Sequence, residues 1–156
     1  MNLYIQQKVF SWKDRFAVCD ANQNPVYYVE GEFFSFGKKL HIYDTSGREV
    51  CFISQELFRF LPTYQIHIAG RPDVAITKKF TFFVQRYILD GVDWEIEGDF
   101  WAHEYQMNAP YGPIAALSKE WFTWGDTYQL TVYQPENAIL ALAVVLAIDA
   151  ANETNN

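Results

Sequence analysis

A chain of 156 residues that is half hydrophobic and 18% aromatic, with 13 Phe and 10 Tyr, is long enough for one well-buried domain and too apolar for disorder. Its net charge of −7 is uneven: residues 1–90 hold eleven Lys/Arg against nine Asp/Glu, whereas residues 91–156 hold Lys119 alone against ten acids. A field of that sign repels phosphate backbones, which excludes sequence-independent nucleic-acid binding while leaving room for a local basic patch.

Taken in chain order, Met1–Lys8 lack the apolar core of a signal peptide, and Cys19 and Cys51 stand apart with no CxxC and no metal-ligand spacing. Together they predict a cytoplasmic protein with two reduced thiols and no metal. Leu3–Gln6 reads as a first strand. A repeat then begins: Phe16, Val18, Asp20, Val26, Val29, Phe33, Phe34 and Phe36 recur 24 positions later as Leu40, Ile42, Asp44, Val50, Ile53, Leu57, Phe58 and Phe60. Further copies open at Tyr64, Tyr87, Tyr105 and Tyr128. Two long-range matches tie the halves together, Val29–Phe34 with Ile96–Trp101 and Ile53–Phe58 with Leu117–Phe122.

Each unit reads as a hairpin, because period-two alternation marks the strands and Asn22–Pro25, Thr45–Gly47, Gly70–Pro72, Asp90–Gly91 and Asn108–Gly112 supply turn chemistry between them. Five hairpins, the first strand and a sixth opener at Thr127–Tyr133 make twelve strands. The sixth unit has no return strand; Pro135 intervenes, and residues 138–148 run eleven positions without a charge or a polar face. Such a segment predicts a helix buried on every side, well short of the ~20 residues that cross a bilayer. A propeller would need four strands per ~40–45 residues and its own signature. A meander that closes on itself removes the exposed edges, and a barrel wide enough can hold a helix. The expected fold is therefore mainly β: a closed twelve-stranded up-and-down β-barrel around the buried apolar C-terminal helix, one domain over 1–151 with a short polar tail at 152–156.

The run Lys8–Asp14, the doubled Glu-Gly-acid-Phe-aromatic motif at Glu30–Phe34 and Glu97–Trp101, the segment Lys119–Asp126 and the closing helix resemble the LURP-one-related family, within the tubby C-terminal-like superfamily. The resemblance covers roughly residues 1–150 and implies the same twelve-stranded barrel around a helix. Functionally the resemblance implies little: tubby proteins bind phosphoinositides, plant relatives are linked to defence, and phospholipid scramblases are thought to be related. The basic lipid-binding residues of tubby have no matching motif here.

Up-and-down connectivity gathers all inter-unit linkers at one barrel end. Those linkers hold Phe10, Trp12, Phe33, Phe34, Phe36, Phe58, Phe60, Phe80, Phe82, Phe83, Phe100, Trp101, Trp121, Phe122 and Trp124, interleaved with Lys13, Lys38, Lys39, Arg59, Lys78, Lys79 and Lys119. Aromatic and basic residues together suit a membrane interface; the rival and simpler reading is that these rings plug the barrel end and pack on the helix, with the lysines solvated. Lys38, Lys39, Lys78 and Lys79 form the only adjacent basic pairs and are the candidate lipid- or anion-binding residues. Asp93, Glu95, Glu97 and Asp99 share one strand face, which suits a solvated exterior better than calcium, an ion that needs a wrapping loop. His41, His67 and His103 are far apart with no metal spacing, and no nucleophile–base pair, P-loop or dinucleotide motif occurs. No catalytic residue, cofactor or metal is expected. The functional expectation is a non-enzymatic intracellular binding module for phospholipid headgroups at a membrane surface or for a protein partner; a carrier of a small apolar ligand and an enzyme of unknown reaction are the rivals.

Overall fold

Apolar residues at every second position become twelve strands, because side chains of a strand alternate between its two faces. In the computed structural model, which describes residues 1–6, 15–32, 36–81, 84–120 and 127–153, they are β1 (Asn2–Gln6), β2 (Phe16–Cys19), β3 (Pro25–Glu32), β4 (Lys39–Asp44), β5 (Glu49–Gln55) and β6 (Thr63–Ile68) in the first half. The second half supplies β7 (Val74–Thr81), β8 (Val84–Asp90), β9 (Glu95–Asp99), β10 (Glu104–Ala109), β11 (Gly112–Glu120) and β12 (Thr127–Val132). Neighbours in sequence are neighbours in the wall, and β1 closes the ring on β12 in antiparallel register from Asn2↔Thr131 to Gln6↔Thr127. All six repeat openers fall on even-numbered strands. Tyr64, Ile66 and Ile68 of β6 are buried, and so are Tyr128, Leu130 and Val132 of β12, as the repeat requires.

The repeat extends to the turns. Asp20 Oδ1 accepts the backbone N–H groups of Asn22 and Asn24 at 2.9 and 3.0 Å, and Asp44 Oδ1 accepts those of Ser46 and Arg48 at 3.0 Å each. One aspartate thus shapes each hairpin by offering the backbone a local acceptor. The left-handed residue that this turn needs is Gly47 in one copy and Gln23, at φ 65°, in the other. Two neighbour pairs depart from the long ladders: β8 and β9 meet at a single pairing, Ile88↔Glu95, and β1 and β2, among the described residues, at Tyr4↔Cys19.

A 3₁₀ turn at Pro135–Asn137 leads into α1 (Ala138–Glu153), 16 residues long, with Pro135 where a missing N–H costs nothing. From Ala138 to Asn152 only Ile139 and Asp149 are partly exposed, and strands of both halves surround the helix. The axis of the barrel is therefore filled by Leu140, Leu142, Val144, Leu146 and Ile148, each burial contributing ~1.5–3 kcal/mol. The helix runs five residues beyond the apolar stretch, and Asn152, expected in a polar tail, is buried within it. Together with its 3₁₀ turn it reaches the length and apolarity of a bilayer span, but 72% of Pro135–Asn152 is buried inside the barrel. The wall shows the opposite polarity to a membrane barrel: Gln65, Thr77, Gln106, Gln129 and Thr131 face outward while apolar residues face in.

Candidate functional site

The chain path gives the barrel two unlike ends. Five hairpin turns and the entrance to α1 lie at one end; the strand ends from which the inter-unit linkers leave, the described linker residues and the C-terminus of α1 lie at the other. The last turn of any helix presents carbonyls without intrahelical partners and a partial negative charge. Here the wall answers that demand. Lys38 Nζ donates to Ala150 O at 2.9 Å, and Lys78 Nζ donates to Asn152 Oδ1 at 3.2 Å. Tyr87 OH donates to the same Asn152 oxygen at 2.5 Å, and His103 Nε2 lies 3.3 Å from Asp149 Oδ1 with its ring stacked on Tyr128 at 4.3 Å. Residues from β4's approach, β7, β8 and the β9–β10 linker thus converge on one helical turn.

This arrangement divides the four candidate lysines. Lys38 and Lys78 turn toward the helix, whereas Lys39 and Lys79 occupy the outward phase of β4 and β7. Lys78 is fully buried, and burial holds its ammonium below the usual lysine range. The Phe80 and Trp101 rings lie 4.9 and 5.8 Å from its Nζ and supply cation–π contacts in place of water. Burial also pushes the Tyr87 phenol well above its ordinary value, with the Asp149 charge adding to the effect. Sequence reasoning missed this cluster. Its signal was in the alternation: Val74, Ile76 and Lys78 share the inward phase, and a lysine there requires a buried acceptor.

The linker aromatics also divide. Phe100 is 5% exposed and packs on Tyr87 and Tyr105, with ring centroids 4.8 and 5.1 Å away, so it plugs the barrel. Phe36 is 88% exposed and Trp101 61%, Phe80 is more than half exposed, and Phe58 and Phe60 are completely so. The remaining linker aromatics (Phe10, Trp12, Phe33, Phe34, Phe82, Phe83, Trp121, Phe122 and Trp124), with Lys13, lie outside the described residues.

Phe58 and Phe60 sit on a closed loop rather than a loose one. The Glu56 N–H donates to Thr63 O at 2.8 Å, Thr63 Oγ1 donates to Leu61 O at 3.0 Å, and the Lys78 N–H donates to Pro62 O at 2.9 Å. Glu56 further accepts from Gln65 and pairs with Arg59 Nε at 3.2 Å. Phe58 itself is held at φ 61°, a conformation unfavourable for a bulky residue. Between this loop and the outer face of β7 and β8 runs a groove of about 560 Å³, lined among others by Phe58, Arg59, Phe60, Lys79 and Ile88.

On the outer wall His41 is held between Glu32 and Glu49, at 2.7 and 2.5 Å. Partial burial opposes its charge, but the hydrogen bonds and charges of the two glutamates prevail and keep its pKa above the usual histidine value. Glu95, Glu97 and Asp99 are exposed on β9, and among the described residues no His, Cys, Asp and Glu cluster could hold a metal ion. Cys19 and Cys51 are free, and burial, with a lesser push from Glu49, raises the Cys51 thiol to about 12, where it is not a nucleophile at neutral pH.

Comparison with known proteins agrees with this architecture. The profile of the LURP-one-related family matches residues 1–149. An uncharacterised protein of Bacillus subtilis, YxjI, is 36% identical over 149 residues, covering 96% of this chain and 92% of that one. The X-ray structure of an Arabidopsis thaliana protein superposes with a TM-score of 0.64 at 16% identity, covering 99% of this chain and 91% of the other.

Proposed function

Since the chain belongs to the LURP-one-related family, for which these relatives bring a fold and no activity, we propose that it is a binding module that seats its linker end on an anionic membrane surface. One observation carries this reading: the exposed Phe36, Phe58, Phe60, Phe80 and Trp101 all belong to the end where Lys39, Arg59 and Lys79 also face solvent. Soluble surfaces seldom collect that much apolar area without a partner. Aromatic rings favour the headgroup level of a bilayer, and each nearby Lys or Arg adds ~1 kcal/mol on an anionic surface, enough to offset the repulsive net charge locally. The rigid closure of residues 56–62 supports the same reading, because a loop held in a strained shape presents its rings without first losing entropy. In this reading Lys39 and Lys79 meet headgroups, while Lys38 and Lys78 brace the helix end behind them. A carrier of apolar ligands gains less support, because α1 occupies the barrel axis.

Flotation with vesicles of phosphatidylcholine alone and with added phosphatidylserine tests the proposal. The unaltered chain should float only with the anionic vesicles. Phe58→Ser/Phe60→Ser and Lys39→Glu/Lys79→Glu should each lower the bound fraction at least fivefold without changing the circular dichroism spectrum. Equal flotation of all three proteins, or none for the unaltered chain, would overturn it.

A further inference from the structure

We propose that the opening between β8 and β9 accepts an extended basic peptide as an added strand. This site lies in the wall and does not depend on the membrane reading. β8 is paired along its whole length with β7, from Ala75↔Asp90 to Thr81↔Val84, and β9 is paired throughout with β10, from Glu104↔Asp99 to Asn108↔Glu95. Toward each other the two strands make only the Ile88↔Glu95 pairing. Val84–Tyr87 and Ile96–Asp99 therefore face one another as two strand edges, each with backbone donors and acceptors and no ladder partner on that side. Strand edges of this kind are what peptides add to.

The space between them is a cleft of about 530 Å³, within the range of built ligand sites, which run ~300–1,000 Å³. Four residues of strand span roughly 13 Å, so the free edges suit about four residues of peptide. Gln85 is among the residues that line this cleft, and its side-chain Oε1 is buried without a hydrogen-bond partner among the described residues. A peptide N–H would supply that partner. Behind the cleft Phe100, packed on Tyr87 and Tyr105, seals the core, so a ligand would lie in the wall and not reach α1.

Charge selects the occupant. On the outer side Asp93, Glu95, Glu97 and Asp99 line the β9 flank, and Arg86 stands alone against them on β8. Because side chains of an added strand also alternate, every second one would lie beside these carboxylates, and Lys or Arg there is favoured. The intervening residues would face Tyr87 and Phe100 and should be apolar.

A peptide of alternating Lys and Val, seven residues long and capped at both ends, provides the probe. Binding followed by intrinsic Trp fluorescence, to which Trp94 in the cleft contributes, should be saturable, and hydrogen exchange of those amides of 84–87 and 96–99 that point away from β7 and β10 should slow at least tenfold. A peptide of equal charge with Pro replacing each Val loses the N–H of every second residue, and with it the donors toward one of the two strand edges, so it should bind at least tenfold more weakly. Glu95→Gln/Glu97→Gln, which alters exposed side chains only, should weaken the Lys-Val peptide about fivefold. No binding, equal binding of the two peptides, or protection elsewhere overturns the proposal. So does protection of these same amides by protein concentration alone, which would make a second copy of the chain the occupant.

Discussion

Lys78 and Asn152 meet at the mouth of the barrel, ammonium to amide oxygen at 3.2 Å, one from the middle of the wall and the other from the last turn of the enclosed helix. The contact joins the wall's buried charge to the negative end of the helix. Tyr87 donates to the same oxygen, so Asn152 keeps a partner if the lysine is lost. Lys78→Met should therefore change stability by no more than about 1 kcal/mol, since it trades a desolvated charge for an apolar chain of similar length. Lys78→Glu places an unpaired buried carboxylate at the negative helix terminus and should cost ~3 kcal/mol or more. Thermal unfolding checks both, with a loss of about 2–4 °C per kcal/mol for a chain of this size.

Truncation of the helix tests how tightly the barrel grips it. Leu142 is completely buried in the middle of α1, and Leu142→Ala leaves a void that rigid strands cannot close. The expected loss is ~2–5 kcal/mol, measured by chemical denaturation. A loss under 1 kcal/mol would mean the barrel collapses onto a smaller helix.

Two glycines separate backbone strain from steric exclusion. Gly47 has φ +88° and open space around a built Cβ, so Gly47→Ala should cost only the ~1–2 kcal/mol of a left-handed residue. Gly98 has φ +140°, and a Cβ there would lie 2.4 Å from Glu104 O and 2.5 Å from Tyr105 Cα on the paired strand. Gly98→Ala should be clearly the more destabilising of the two, and it should alter the near-ultraviolet spectrum of the neighbouring aromatics as β9 shifts.

The Glu32–His41–Glu49 clamp carries a pH signature. Its folded-state pKa is raised, so its stabilising effect is complete below the unfolded value of about 6.5 and is lost as pH rises through the folded value. The partners are nearly half exposed, which limits the effect to about 1 kcal/mol or less. The melting-temperature difference between the unaltered chain and His41→Gln should be roughly 1–3 °C near pH 6 and shrink above pH 8. A difference that grows with pH would show the histidine is held neutral.

The barrel was legible because three independent patterns agreed: the 24-residue offset that carries Asp20 onto Asp44, the inward series Tyr64, Ile66 and Ile68, and the unbroken apolarity of residues 138–148. The helix terminus was harder to read. Asn152 looks like the start of a polar tail in one dimension, and only the lysine and tyrosine brought from β7 and β8 satisfy its amide oxygen once it is buried. The same limit governed the lysine pairs, since adjacency in sequence places the two members of each pair on opposite faces of a strand. Nothing in the residues 84–99 marked the parted edges of β8 and β9, because strand separation depends on how the whole ring shares its twist.

The pairing of β1 with β12 has a consequence during synthesis. A ribosome adding ~5–20 residues per second needs roughly 8–30 s for 156 residues, and for most of that time, until Val132 is added, β1 lacks its β12 partner. The helix that fills the interior is made later still, after the last strand. Nascent strands with empty inner faces are ready templates for one another when several copies emerge on the same message. The yield of this protein should therefore depend on holdase chaperones more steeply than its finished stability suggests.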